Sequence, residues 1–140
     1  MGIRQLSVFL ENKKGCLHSI TDILAKANID LRSMCIADTS DYGIVRIIAD
    51  KPDEAMAALN AEGYTATIRK VTAFAVPDVP GGLAKVLSIL EDKGINIEYM
   101  YALVTKETGK AYAAMRTDDE TVTEQILVDN GIETFGEKTL

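Results

Sequence analysis

The chain has 140 residues, enough for one ordinary domain or two very small ones. Hydrophobic residues make up 47% of it and charged residues 26%, the balance of a folded globular chain; with no Trp and 6% aromatics, its core must be aliphatic. A net charge of −6 argues against nucleic acid as a partner, because that affinity comes from Lys and Arg neutralising phosphates, and against an anionic membrane for the same reason.

The opening Met1-Gly2-Ile3-Arg4-Gln5-Leu6-Ser7 lacks the basic flank, apolar run and cleavage site of a secretory signal. Leu6 also stands where a myristoylation signal needs Ser or Thr. No apolar stretch has the length of a membrane span. Cys16 and Cys35 are the only cysteines and read as reduced thiols, so a cytoplasmic globular protein is expected.

A first strand is expected over 3–10, then the loop Glu11-Asn12-Lys13-Lys14-Gly15. Leu17, Ile20, Leu24 and Ala27 follow at helical spacing, with Asn28 as the stop. Strands over 29–37 and 42–49 flank the turn Asp38-Thr39-Ser40-Asp41. Asp50-Lys51-Pro52-Asp53 reads as a helix start with Asp50 as its cap. Ala55, Met56 and Leu59 form the stripe of that helix, Gly63 ends it, and a strand covers 64–69. The same order then returns: strands near 71–76, 95–105, 110–116 and 133–136, helices near 82–93 and 120–130.

The return is a duplication. At a shift of 66, Gly15, Leu17, Ile23, Leu24, Ile29 and Met34 fall on Gly81, Leu83, Ile89, Leu90, Ile95 and Met100. A shift of 70 matches Tyr42 and Arg46 to Tyr112 and Arg116; a shift of 68 matches Asp50, Leu59 and Gly63 to Asp118, Leu127 and Gly131. The shift changes only where loops fall, as insertions in loops require. The boundaries are 1–70 and 71–140, with only Arg69 and Lys70 between strand and strand. Halves of that size have marginal cores alone and are expected to pack as one body. The fold class is α+β: two tandem ferredoxin-like βαββαβ domains, antiparallel sheets with helices on one face.

Val76-Pro77-Asp78-Val79-Pro80-Gly81-Gly82-Leu83, then Ile89-Leu90 and Gly94-Ile95-Asn96-Ile97, resembles the signature of the ACT domain. The first half carries a second copy without the Pro, Glu11-Asn12-Lys13-Lys14-Gly15-Cys16-Leu17 followed by Asn28-Ile29-Asp30-Leu31. The whole plan is similar to the small stand-alone tandem ACT proteins, two repeats with no catalytic domain.

A Gly-containing turn before a helix presents free amides and the positive end of the helix dipole, a place for an α-carboxylate. Gly15, Gly81 and Gly82 leave room for close approach, and Cys16, Leu17 and Leu83 flank the turns. Asn12 and Asp78, three residues before those glycines, are acceptors for an ammonium group, with Asp30 and Asn96 at the start of the second strand expected close to the turn. The resemblance implies that these four positions contact a bound amino acid near the seam between ACT domains, and that the protein pairs as a homodimer. Each also has a bland reading, an Asp that only caps a helix. Arg46 and Arg116 read either as carboxylate clamps or as solvated strand residues; Met34, Met100, Tyr42 and Tyr112 read as packing, although Met100 and Tyr101 lie on the strand that lines the seam in this family.

Catalytic chemistry is scarce. Cys16 and His18 are two apart and do not face each other on a helix, and with Cys35 they make no metal set. Pro80-Gly81-Gly82-Leu83-Ala84-Lys85 is not a phosphate loop. No cofactor is expected. The leading reading is a non-enzymatic amino-acid sensor; the alternatives are a ligand-free dimerisation or interaction module and, last, an acylphosphatase-like hydrolase.

Overall fold

The computed structural model describes residues 2–38, 42–104 and 107–139. Chain contacts divide into two units, Arg4–Arg69 and Lys70–Leu140 together with Met1–Ile3. The elements are β1 (Ile3–Glu11), α1 (Cys16–Lys26), β2 (Leu31–Asp38), β3 (Tyr42–Ala49), α2 (Pro52–Ala61), β4 (Thr65–Pro77), α3 (Gly82–Asp92), β5 (Ile97–Leu103), β6 (Lys110–Thr117), α4 (Glu120–Asp129) and β7 (Glu133–Phe135), followed by a short 3₁₀ turn, Glu137–Thr139.

In the first unit β3 is the hub. It pairs antiparallel with β1, Leu6 opposite Ile47 and Glu11 opposite Tyr42, and with β2, Leu31 opposite Ala49 and Asp38 opposite Gly43. Alternation then sends Leu6, Val8, Leu10, Val45 and Ile47 to one face, where Ile20 and Leu24 of α1 and Ala55 and Leu59 of α2 join them in one core. The core is aliphatic, as composition demanded. In the second unit β6 takes the hub position between β4 and β5, while β7 lies on the other side of β4. Phe74, Val76, Val86, Leu90, Met115 and Leu127 are its core. Each unit is the α+β arrangement of antiparallel strands with two helices expected from the pattern. The strands expected at 64–69 and 71–76 are one continuous strand, β4.

The helix ends follow one rule. α1 ends with the Asn28 amide on the Ala25 carbonyl (3.0 Å) and the Ile29 amide on the Leu24 carbonyl (3.0 Å), with Asn28 at φ 57. α3 repeats this with Gly94 on Glu91 (2.9 Å) and Ile95 on Leu90 (3.0 Å). Gly63–Tyr64 closes α2 and Gly131–Ile132 closes α4 in the same way. This is the left-handed C-terminal motif that satisfies orphan carbonyls. It also explains why β2 begins at Leu31 and not at 29: Ile29 is still closing the helix.

Asp50 does not cap α2; the cap residue is Lys51, without a side-chain bond, because the Asp50 carboxylate accepts the backbone amide of Asp30 instead (3.0 Å). β5 begins at Ile97 and not at 95, since Ile95 completes the end of α3, and the last residue of the expected 95–105 lies outside the described residues. The turn read at Asp38-Thr39-Ser40-Asp41 lies, beyond its first residue, outside the described residues.

Asn28 holds a left-handed conformation that side chains other than Asn tolerate poorly. Asn28→Ala is expected to cost about 1 kcal/mol, whereas Asn28→Gly leaves stability equal or higher; urea unfolding of both variants measures the difference.

Candidate functional site

The two turns that precede α1 and α3 share the same three backbone hydrogen bonds. Lys13 donates its amide to Glu11 (2.8 Å) and Val79 to Pro77 (2.9 Å); Cys16 donates to Lys13 (3.3 Å) and Gly82 to Val79 (3.1 Å). Each helix starts on a left-handed glycine, Gly15 at φ 89 and Gly81 at φ 83, whose carbonyls take the amides of Ser19 (2.9 Å) and Lys85 (3.1 Å). The Pro of the second copy is therefore not needed for the shape: the first copy adopts it without one.

Neither helix has a side-chain cap. The next donors inward, the amides of Leu17 and His18 and those of Leu83 and Ala84, have no hydrogen-bond partner among the described residues. A Cβ built on Gly15 or Gly81 would meet open space. Both helix mouths are thus unplugged and keep unsatisfied donors at the positive end of a dipole.

Gly82 is different. A Cβ there would collide with the carbonyl oxygen of Pro77, so its missing side chain is required by the chain's own backbone. Its counterpart Cys16 is half-buried and packs, with Leu17, on the first core. Leu83, matching Leu17, is instead 38% exposed, and Val79 beside it is 59% exposed. Asn12 and Asp78 are both exposed on their turns. The Asp78 amide is tied to the Gly109 carbonyl (3.0 Å), which anchors the second turn to the hairpin between β5 and β6. In that hairpin the Tyr112 hydroxyl donates to Glu107 (2.6 Å), and Lys110 reaches both Glu107 (3.1 Å) and Glu133 (2.9 Å). The Tyr112 hydrogen bond, with that from Lys110, holds the Glu107 carboxyl below its ordinary pKa.

The other two acceptors are not beside the turns. Within a parallel βαβ unit the helix runs back, so the second strand begins at the end opposite the first turn. Glu11 is level with Tyr42 while Leu31 is level with Ala49, seven residues further along β3 and roughly 23 Å away at about 3.3 Å per residue. Pro77 opposite Lys110 and Ile97 opposite Thr117 give the same separation in the second unit. Asp30 and Asn96 are exposed there, so their expected closeness to the turn of their own repeat is overturned by strand direction. What sequence reading missed at this end is Asp50 and Asp118. Their carboxylates accept the Asp30 amide (3.0 Å) and the Asn96 amide (3.3 Å), and the match between the halves was the available signal.

The matched arginines are not at the turns either. Arg46 lies opposite Ser7, in mid-strand. Arg116 is held by Glu98 (3.1 Å) and lies 3.9 Å from Glu120, so its charge is answered within its own unit. Tyr112 is buried against Phe135, at 4.9 Å between ring centres, whereas Tyr42 is 62% exposed; the pair is packing in one copy only. Among the described residues, no three His, Cys, Asp or Glu gather as a metal site, and no helix is long and apolar enough to cross a membrane.

Two repeats of this unit, each with a glycine turn feeding its first helix, define a pair of ACT domains, and comparison with known proteins agrees. The family model described as an ACT domain pair matches residues 1–140, so the chain belongs to the ACT domain family as a tandem pair. Protein BT0572 from Bacteroides thetaiotaomicron is 38% identical to it, with a TM-score of 0.90 over 96% of this chain and 92% of that one. The ligand-free regulatory subunit of aspartate kinase from Thermus thermophilus shares the fold at 16% identity, TM-score 0.66, over 90% and 91% of the two chains. The corresponding subunit from Thermus flavus does so at 15% identity, TM-score 0.63, over 90% of each chain. None of the curated proteins compared with the chain matches it.

Gly82→Ala should push the turn off the Pro77 carbonyl and cost about 1–3 kcal/mol, lowering Tm by roughly 3–10 °C in calorimetry. Glu107 carries a second expectation. Its folded pKa lies below the unfolded value, so its contribution is present above the ordinary carboxylate range and is lost as pH falls through the folded pKa. Tyr112→Phe removes the main cause, and the Glu107 titration followed by carboxyl NMR should move upward.

Proposed function

We propose that this ACT domain pair is a non-catalytic regulatory protein of the cytoplasm that binds a free amino acid at the turns before α1 and α3, one turn in each of the domains 1–70 and 71–140. The observation that carries the reading is the pair of unplugged helix mouths, with the amides of Leu17 and His18 and of Leu83 and Ala84 unpartnered among the described residues. Such donors suit the α-carboxylate, with Gly15, Gly81 and Gly82 and the flanking Cys16, Leu17 and Leu83 around it. Asn12 and Asp78 are the acceptors at hand for the ammonium group. Asp30 and Asn96 lie at the far end of their own repeats, and we assign them to a ligand held by a turn of a second copy of the chain, which makes association part of binding.

That association is a homodimer. β2 is an outer strand among those described and exposes Met34 (42%) and Ile36 (44%) along it. An unpaired edge with apolar side chains is a surface that a second copy covers. The same edge supports the alternative of a ligand-free interaction module, whose size and melting would ignore amino acids. A regulatory subunit of aspartate kinase carries this fold, which supports a regulatory role.

A thermal-melt panel of the twenty amino acids separates the two. An amino acid that binds only the folded chain adds about 2.7 kcal/mol at one hundred times its Kd, raising Tm by roughly 8 °C. No shift with any of the twenty at about 10 mM, roughly ten times a Kd of 1 mM (about −4.1 kcal/mol), would leave the interaction module standing in its place.

A further inference from the structure

We propose that Asp50 and Asp118 are positioning residues for the amino-acid site: each grips the start of the second strand of its repeat and so fixes where Asp30 or Asn96 is presented. The inference rests on the function proposed above, in which those two side chains meet the ligand.

The start of β2 and the start of β5 are places where the sheet ladder alone holds poorly. The register slips between Leu31 and Ser33 against β3, and again between Ile97 and Tyr99 against β6. The residues just before each slip are held by another device. The Asp50 carboxylate accepts the Asp30 amide (3.0 Å), and the Asp50 amide returns a bond to the Asp30 carbonyl (3.1 Å). In the second repeat Asp118 holds Asn96 through the same two bonds, at 3.3 and 3.2 Å. Main-chain and side-chain bonds together close a clasp around one residue, and that residue is the proposed acceptor in both copies.

The use made of these carboxylates argues that the clasp is their job. Each stands just ahead of a helix, where Asp ordinarily caps. In the first repeat α2 goes without any side-chain cap while Asp50 holds Asp30. In the second repeat the two tasks are divided: Asp119 caps α4 by accepting the Val122 amide (3.0 Å), and Asp118 still holds the strand start. A carboxylate is present at this position whether or not the helix is capped.

The test is isothermal titration calorimetry of the whole chain with each of the twenty amino acids in turn, for the wild type, Asp50→Ala/Asp118→Ala and Asp50→Asn/Asp118→Asn, at a temperature where all are folded. The double alanine variant is expected to bind at least tenfold more weakly whichever amino acid the wild type binds. The double asparagine variant should stay within threefold, because its amide oxygen accepts the same bond. Amide exchange at Asp30 and Asn96 should quicken in the alanine variant only. A purely structural Asp would lower Tm and leave Kd unmoved, so an alanine variant within twofold of wild-type affinity overturns this inference and spares the proposed function. A wild type that binds none of the twenty overturns the proposed function, and this inference with it.

Discussion

A left-handed residue at the mouth of a helix is the constraint from which the candidate site follows. With Gly15 and Gly81 at φ 89 and 83, the chain leaves β1 and β4 and enters a helix without a side chain folding back over the first turn. Most helices start on Ser, Thr, Asp or Asn, whose oxygen consumes a donor. A glycine has no such oxygen, and the donors behind it stay available. The same absence of a side chain would destabilise a helix in isolation, so packing must hold these helices in place. It does: Ile20 and Leu24 in one unit, and Val86 and Leu90 in the other, are fully or almost fully buried.

The repeats share this backbone but have drifted apart in what surrounds it. The first mouth is flanked by Lys13 and Lys14, with Lys13 paired to Glu11 at 2.6 Å. The second has Asp78 and two exposed apolar side chains, Val79 and Leu83. Tyr112 is drawn into packing by Phe135 and a bond to Glu107, neither of which its match Tyr42 has as a counterpart in the sequence alignment of the halves. Equal folding and unequal chemistry is the outcome expected when core positions are fixed by packing and surface loops are not.

Much of this was legible in the residues. The duplication fixed two βαββαβ units because helix stripes such as Leu17-Ile20-Leu24 and stops such as Asn28 and Gly94 are local signals, read within a few residues of where they act. The failures came where the decisive partner is distant in sequence. Asp50 read as a helix cap because its neighbours Lys51 and Pro52 are visible and its real partner, Asp30, is 20 residues away. Nothing near Asp30 or Asn96 in the sequence signals their distance from the turns; the direction of a parallel βαβ unit sets them at the opposite end. Gly82 read as making room for a ligand, whereas the room is taken by the Pro77 carbonyl.

The way the helices finish has a further consequence. All four close on bonds between neutral backbone groups, and only α1 has a basic residue, Lys26, in its last turn. Dissolved salt screens charge pairs and barely touches such bonds. The negative poles are therefore sealed by the polypeptide itself, and changes in the surrounding electrolyte act on the exposed ion pairs, such as Lys13 with Glu11 and Lys110 with Glu133, and on the positive poles of α1 and α3, not on these C-terminal ends.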